Sequence, residues 1–153
     1  MRSMTHSVKF MVALTAVSGA FVAGLDAGLT YNTWPMMADR WIPTDIWART
    51  PKWVNIFENP TTTQFDHRWL GQMTGALILA LWLVCQKNKA RLPRRVQLAA
   101  HALGVAAIAQ IALGISTLIH FVPTALAVTH QSGSLVLLSA ALWLSHSLRR
   151  LPK

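Results

Sequence analysis

The stretch PTTTQFDHRWLGQMTGALILALWLVC, residues 60–85, opens on proline, reaches a histidine seven residues later and then runs almost free of charge. A second stretch, PTALAVTHQSGSLVLLSAALWLSH, residues 123–146, has the same plan. Both read Pro-Thr, five residues, His, and the histidines are His67 and His130. Each run reaches the length of about 20 apolar residues that crosses a bilayer as a helix. Proline suits the first turn of a helix, where no backbone N–H is needed, and Asn59 is a good cap before Pro60. Seven residues at a rise of about 1.5 Å put each histidine roughly 10 Å along its helix. Two separate helices therefore carry a histidine at similar depth. Imidazole inside a membrane is costly, and its presence there argues for function.

Working outward, two further runs complete a set of four spans, at about 8–25, 62–85, 96–119 and 124–146. Composition agrees. Over 153 residues the chain is 53% hydrophobic and 12% charged, against about 25% charged in a typical soluble domain. The fold expected is all-α, a transmembrane four-helix bundle forming one membrane domain over 1–153. The first run is read as a helix and not as a cleaved leader, because GAFVAGLDAGL (19–29) continues apolar and Gly-rich without a small-residue cleavage site. The single cysteine, Cys85, excludes an internal disulfide and a cysteine metal cluster, and reads as a small hydrophobe at a helix end.

The net charge of +9 is explained by position, and no nucleic-acid partner is needed. With the four helices crossing in alternation, one face collects Arg2, Lys9, Lys87, Lys89, Arg91, Arg94, Arg95, Arg149, Arg150 and Lys153, with no acid among them. All five acids, Asp26, Asp39, Asp45, Glu58 and Asp66, fall on the other face. This positive-inside pattern places both termini in the cytoplasm or the mitochondrial matrix. The long loop 26–61 and both histidines then lie toward the outer face. Trp34, Trp41, Trp47 and Trp53 in that loop suit the membrane–water boundary. The segment TDIWARTPKWVNIFEN (44–59) predicts a short helix on the membrane, capped by Thr44 and interrupted at Pro51.

The two hairpins look like repeats. In each, a glycine-bearing helix precedes a Pro-Thr-x5-His helix, with Gly24 of the first hairpin set against Gly114 of the second. The glycine offset is 90 (114 − 24) and the histidine offset 63 (130 − 67), the difference of 27 being extra loop in the first hairpin. A pseudo-twofold bundle follows.

Two neutral imidazoles at one depth on facing helices can clamp a metal. A bare zinc or copper asks for further ligands, which this depth lacks, whereas a heme needs only two axial ligands from protein. Gly71, Thr74 and Gly75 follow His67 on its own helix face, and Gly133 and Ser134 follow His130. Small residues there either leave room for a macrocycle or serve close helix packing. Heme propionates would point toward the outer face. Arg68, beside the first ligand, either pairs with one of them or snorkels to the headgroups, and Arg40, Arg49 and Lys52 wait in the loop. Asp66 pairs with Arg68 or orients the loop. His6, His101, His120 and His146 read as interfacial or packed.

The segments GAFVAGLDAGLTYNTWPMMADRWIP, FENPTTTQFDHRWLG, LGISTLIHFVPTALAVTHQSGSL and LRRLPK resemble the heme A synthases of the mitochondrial and alphaproteobacterial type, most closely the animal mitochondrial form. Members of that family carry two similar four-helix bundles, and the resemblance here is to the C-terminal one. It implies oxidation of the C8 methyl of heme O to the formyl of heme A, with water as oxygen donor and electrons passed to an acceptor. It implies that His67 and His130 are the axial ligands of a heme b cofactor. Heme O would bind through an N-terminal bundle or a second copy of the chain. Position 64 is Gln, where the substrate-binding half of the family places a Glu before its first ligand. The location implied is the mitochondrial inner membrane with matrix termini, or alternatively a bacterial plasma membrane. The runner-up reading is a stand-alone membrane b-type cytochrome without catalysis.

Overall fold

The computed structural model describes residues 1–149, so Arg150 and Lys153 of the basic face lie outside the described residues. The helices are α1 (Arg2–Gly24), α2 (Asn55–Glu58), α3 (Pro60–Lys87), α4 (Arg94–Ile119) and α5 (Thr124–Arg149). Among the described residues there is no strand, only an isolated bridge between Met37 and Arg40 in the long loop. Four helices, α1, α3, α4 and α5, are long and apolar enough to cross a membrane.

Most of these helices outrun the apolar segments that announce them, α1 beginning at Arg2 and α3 extending to Lys87. Hydropathy marks where hydrocarbon would begin, whereas the backbone keeps its helical hydrogen bonds into the polar zone. Pro60 opens α3, and the Asn59 side chain accepts from the Thr61 N–H at 3.0 Å. Pro123 stands one residue outside α5, its carbonyl accepting from the Ala127 N–H at 2.9 Å. It thus acts as the cap and does not occupy the first turn.

The short helix in the loop differs from expectation. Residues after Thr44 form turns, and helical structure starts only past Pro51, as a 3-10 turn over Lys52–Val54 leading into α2. Asn55, fully buried, organises this region instead. Its Oδ1 accepts from the Arg49 N–H and from Asn59 Nδ2, and its Nδ2 donates to the Arg49 and Lys52 carbonyls, all at 2.9 Å. Thr62 Oγ1 donates to the Ile46 carbonyl, fastening the loop to α3.

Around the bundle the order is α1, α3, α4, α5, each packed on its two neighbours, so α3 and α5 stand on a diagonal. The hairpins α1–α3 and α4–α5 are the expected pairs. Inside, the two ends differ. Toward the termini the bundle is filled by a core that includes Val8, Ile78, Leu81, Leu103, Leu144 and Leu148, with free Cys85 packed among them. Toward the long loop small residues such as Gly19, Ala23, Gly71, Gly114 and Ser134 stand among the larger ones that face inward, and the bundle is hollow. Outward, Val105, Ile108 and Leu135 are 68%, 72% and 66% exposed. An apolar sheath of this kind suits lipid.

Candidate functional site

The hollow end is a cavity of about 530 Å³ bounded by α1, α3, α4, α5 and the long loop. That is within the range of roughly 300–1,000 Å³ typical of ligand sites. His67 of α3 and His130 of α5 face each other across it, ring centroids 6.4 Å apart and ring planes at 86°. Imidazole nitrogen binds a metal at about 2 Å and lies roughly 1 Å from its ring centre, so rings on opposite sides of one metal stand roughly 6 Å apart. The observed spacing fits one metal between the rings. Among the described residues no group of three or more His, Cys, Asp or Glu gathers around a common point. The pair therefore suits a metal that brings its own equatorial ligands.

His67 is held by α1. Its Nδ1 lies 2.8 Å from Ser18 Oγ, and the Ser18 hydroxyl donates to the Thr15 carbonyl at 2.8 Å. A hydroxyl has one proton to give. With that proton on Thr15, Ser18 Oγ is free to accept from His67 Nδ1–H in the tautomer that carries the proton there. In that tautomer Nε2 keeps its lone pair, as a metal ligand requires.

Two glycines make room for the rings. A β-carbon on Gly19 would lie 3.0 Å from His67 Cε1, and one on Gly114 would lie 2.8 Å from His130 Cε1. The repeat read from sequence pairs Gly114 with Gly24, but a β-carbon on Gly24 would meet nothing within 4 Å. The true counterpart is Gly19. Both Gly19 and Gly114 stand five residues before the end of their helices, at 24 and 119. Counting back from helix ends, which the variable loop cannot shift, is the signal that finds it. Ser18 carries no comparable mark in the sequence.

Gly71 and Gly75 both line the cavity. Gly71 opens onto free space, whereas a β-carbon on Gly75 would come 2.7 Å from Ile111 Cδ1, so Gly75 also serves helix packing. Thr74 lines the cavity and shares a 2.9 Å hydrogen bond with Thr15. Ser134 is in the wall too, whereas Gly133 lies against the Gln110 side chain.

Arg68 is the one Lys or Arg in the cavity wall among the described residues. Its guanidinium donates to the Tyr31 carbonyl at 2.7 Å and the Thr33 carbonyl at 3.0 Å, while its buried Nε finds no partner. Arg40 and Arg49 pair with Asp39 and Glu58 at 3.8 and 3.6 Å, and Lys52 donates to the Trp47 carbonyl. Asp66 forms no ion pair with Arg68 among the described residues. His120 lies by the Ser116 carbonyl and His101 beside Trp82, both away from the cavity. A second hollow, beside Trp41 and Trp69, has only about 20 Å³.

These features define a class, the membrane-length four-helix bundles with a prosthetic-group-sized site between histidines on facing helices. Residues 1–142 match the COX15-CtaA family, described as cytochrome oxidase assembly protein. The chain is 52% identical over its full length to heme A synthase COX15 of Bos taurus, covering 37% of that protein. It is 57% identical over 94% of its length to heme A synthase COX15 of Mus musculus, covering 34% of it. It is 42% identical over 91% of its length to the heme A synthase of Rhodospirillum centenum, again covering 37%. The chain belongs to the COX15-CtaA cytochrome oxidase assembly protein family, and it spans between a third and two-fifths of the length of these relatives. No solved structure matches it.

Proposed function

We propose that this chain is the cofactor-holding bundle of a heme A synthase, taking part in oxidation of the heme O C8 methyl to the formyl of heme A. The observation that carries this is the facing of His67 and His130 at 6.4 Å across a cavity of macrocycle size. In this reading the cofactor is heme b. His67 and His130 hold its iron, Gly71 and Gly75 belong to the surrounding wall, and Arg68 brings the wall's positive charge for a propionate. A heme iron held by two histidines supplies single-electron transfer between its ferric and ferrous forms. The chain's own work is to orient the two rings, hold His67 in one tautomer through Ser18 and close the loop end through Arg68. The substrate heme O meets this bundle through an N-terminal bundle or a second copy, and electrons leave to an acceptor. The chain forms a single multi-pass unit of the mitochondrial inner membrane, termini in the matrix, or in the bacterial case of the plasma membrane.

Filling both axial positions from protein also favours a second reading, a membrane b-type cytochrome that carries electrons without catalysis. Both readings are tested first by a reduced-minus-oxidised visible spectrum of the purified chain supplied with heme. A low-spin b-type spectrum is expected, lost in His67→Ala and in His130→Ala. A folded but colourless wild-type chain refutes both. Heme A formation on co-expression with an N-terminal bundle, and its absence with His67→Ala, separates the enzyme from the electron carrier.

A further inference from the structure

The two histidines are matched in position and unmatched in support. A β-carbon on Gly19 or on Gly114 would meet the same three ring atoms, Cε1, Nδ1 and Nε2, of the respective histidine, which fixes the register of the repeat. One residue earlier, α1 has Ser18 and α4 has Leu113. Ser18 gives His67 Nδ1 its hydrogen-bond partner at 2.8 Å. Leu113 has nothing to offer, and His130 Nδ1 is buried with no partner among the described residues. The Gln110 backbone approaches the His130 ring as the Thr15 backbone approaches the His67 ring, and Gln110 Nε2 donates to the His130 carbonyl at 2.6 Å, so what α4 lacks is the side-chain hydroxyl. Gln110 Oε1 is itself buried without a partner.

A ligand imidazole whose second nitrogen is hydrogen-bonded has a fixed tautomer, a fixed ring direction and greater basicity. An imidazole whose second nitrogen meets no well-aligned partner is held less firmly in all three respects. We propose that Ser18 is the positioning residue that makes His67 the permanent iron ligand, and that His130 is the exchangeable one. This rests on the heme-holding reading above. With heme bound, release of His130 would break one iron–nitrogen bond and a small neutral ligand would form the bond that replaces it, with no change of oxidation state.

The test uses the full-length chain in detergent, loaded with heme, with carbon monoxide as the probe of the ferrous iron. Wild type is expected to bind carbon monoxide slowly and reversibly. His130→Ala is expected to retain heme as a five-coordinate high-spin species that binds it at once. His67→Ala is expected to lose heme. Ser18→Ala is expected to weaken heme binding by about 10–100-fold, the usual loss on removing an outer partner, and Ser18→Thr to restore it. Leu113→Ser, which offers His130 a hydroxyl, is expected to slow carbon monoxide binding. Equal heme loss in the two histidine variants, or wild-type heme affinity in Ser18→Ala, overturns the proposal while leaving the two-histidine site intact. A wild-type chain that takes up no heme removes the reading beneath it as well.

Discussion

Gly114 of α4 lies against the edge of the His130 ring, where a β-carbon would stand 2.8 Å from Cε1. No real β-carbon sits so close, so Gly114→Ala must move either the ring or the helix. Overpacking of this kind costs about 1–3 kcal/mol. The heme dissociation constant of Gly114→Ala is expected to rise about tenfold, which corresponds to about 1.4 kcal/mol. Gly19→Ala, at 3.0 Å, is expected to have a smaller effect in the same direction. Gly24→Ala, which meets nothing within 4 Å, is the control and is expected to titrate like wild type.

Gly71 tests the hollow itself. Its missing side chain would enter open space in the cavity wall. Gly71→Leu is therefore expected to leave helix content and thermal midpoint unchanged while abolishing heme uptake. A variant that takes up heme normally would mean the macrocycle site lies elsewhere.

Arg68 ties the loop to α3 through the Tyr31 and Thr33 carbonyls. Hydrogen bonds from a charged donor contribute about 1.5–3 kcal/mol each when well buried, and the exposed Thr33 bond will lie below that range. Arg68→Ala is expected to speed proteolysis within residues 30–50 by roughly tenfold, in line with a loss of about 1.4 kcal/mol in local closing. Lys at this position brings a point charge without the fork, and is expected to recover only part of the protection.

Asn55 is a stricter case, because every bond its amide makes is internal to the loop. Asn55→Ala leaves the Arg49 and Lys52 carbonyls without their donor. The expected loss is about 2–3 kcal/mol of stability, read as a lowered thermal midpoint. Asn55→Asp places an acceptor against the same two carbonyls and is expected to be at least as damaging.

Tyr31 is the one tyrosine of the chain, so a pH difference spectrum reports its ionisation without a second tyrosine overlapping it. Burial raises its pKa above the ordinary 10.0, helped by its hydrogen bond to Asp45 and by the Asp45 charge. The folded chain therefore favours the neutral phenol. That contribution to stability is full below the ordinary pKa and is lost as pH rises through the raised one. The tyrosinate absorbance is expected to appear at higher pH than in a free peptide. Asp45→Asn is expected to bring the midpoint down part of the way, since burial, the larger cause, remains.

How far the sequence speaks depends on the kind of contact involved. Helix number and depth follow from apolar length, and the Asn59–Pro60 start of α3 from local backbone chemistry, so both are legible in the chain. The pairing of His67 with His130 is legible because two rare residues share a register. Ser18 is not, because a serine in a membrane helix commonly bonds its own backbone, as this one also does. Only the packing of α1 on α3 brings it to an imidazole 49 residues away. The Gly24 pairing fails for a related reason: an offset measured through the loop inherits every turn between Asp26 and Asn59. The loop helix starts late because the Asn55 amide gathers carbonyls from Arg49 and Lys52, which are scattered in sequence, and no propensity pattern encodes that.

The diagonal placement of α3 and α5 has a consequence for assembly. Each hairpin brings one ring, and the hairpins are joined along the chain only through residues 88–93. A group bridging the two rings is thus a rivet across the seam between hairpins. A nascent chain released after Lys87 would own a complete first hairpin and half a grip. If the bundle holds heme, the four-walled cavity and its two-ring grip are complete only once the last helix is inserted and docked, and a low-spin colour becomes a readout of finished biogenesis.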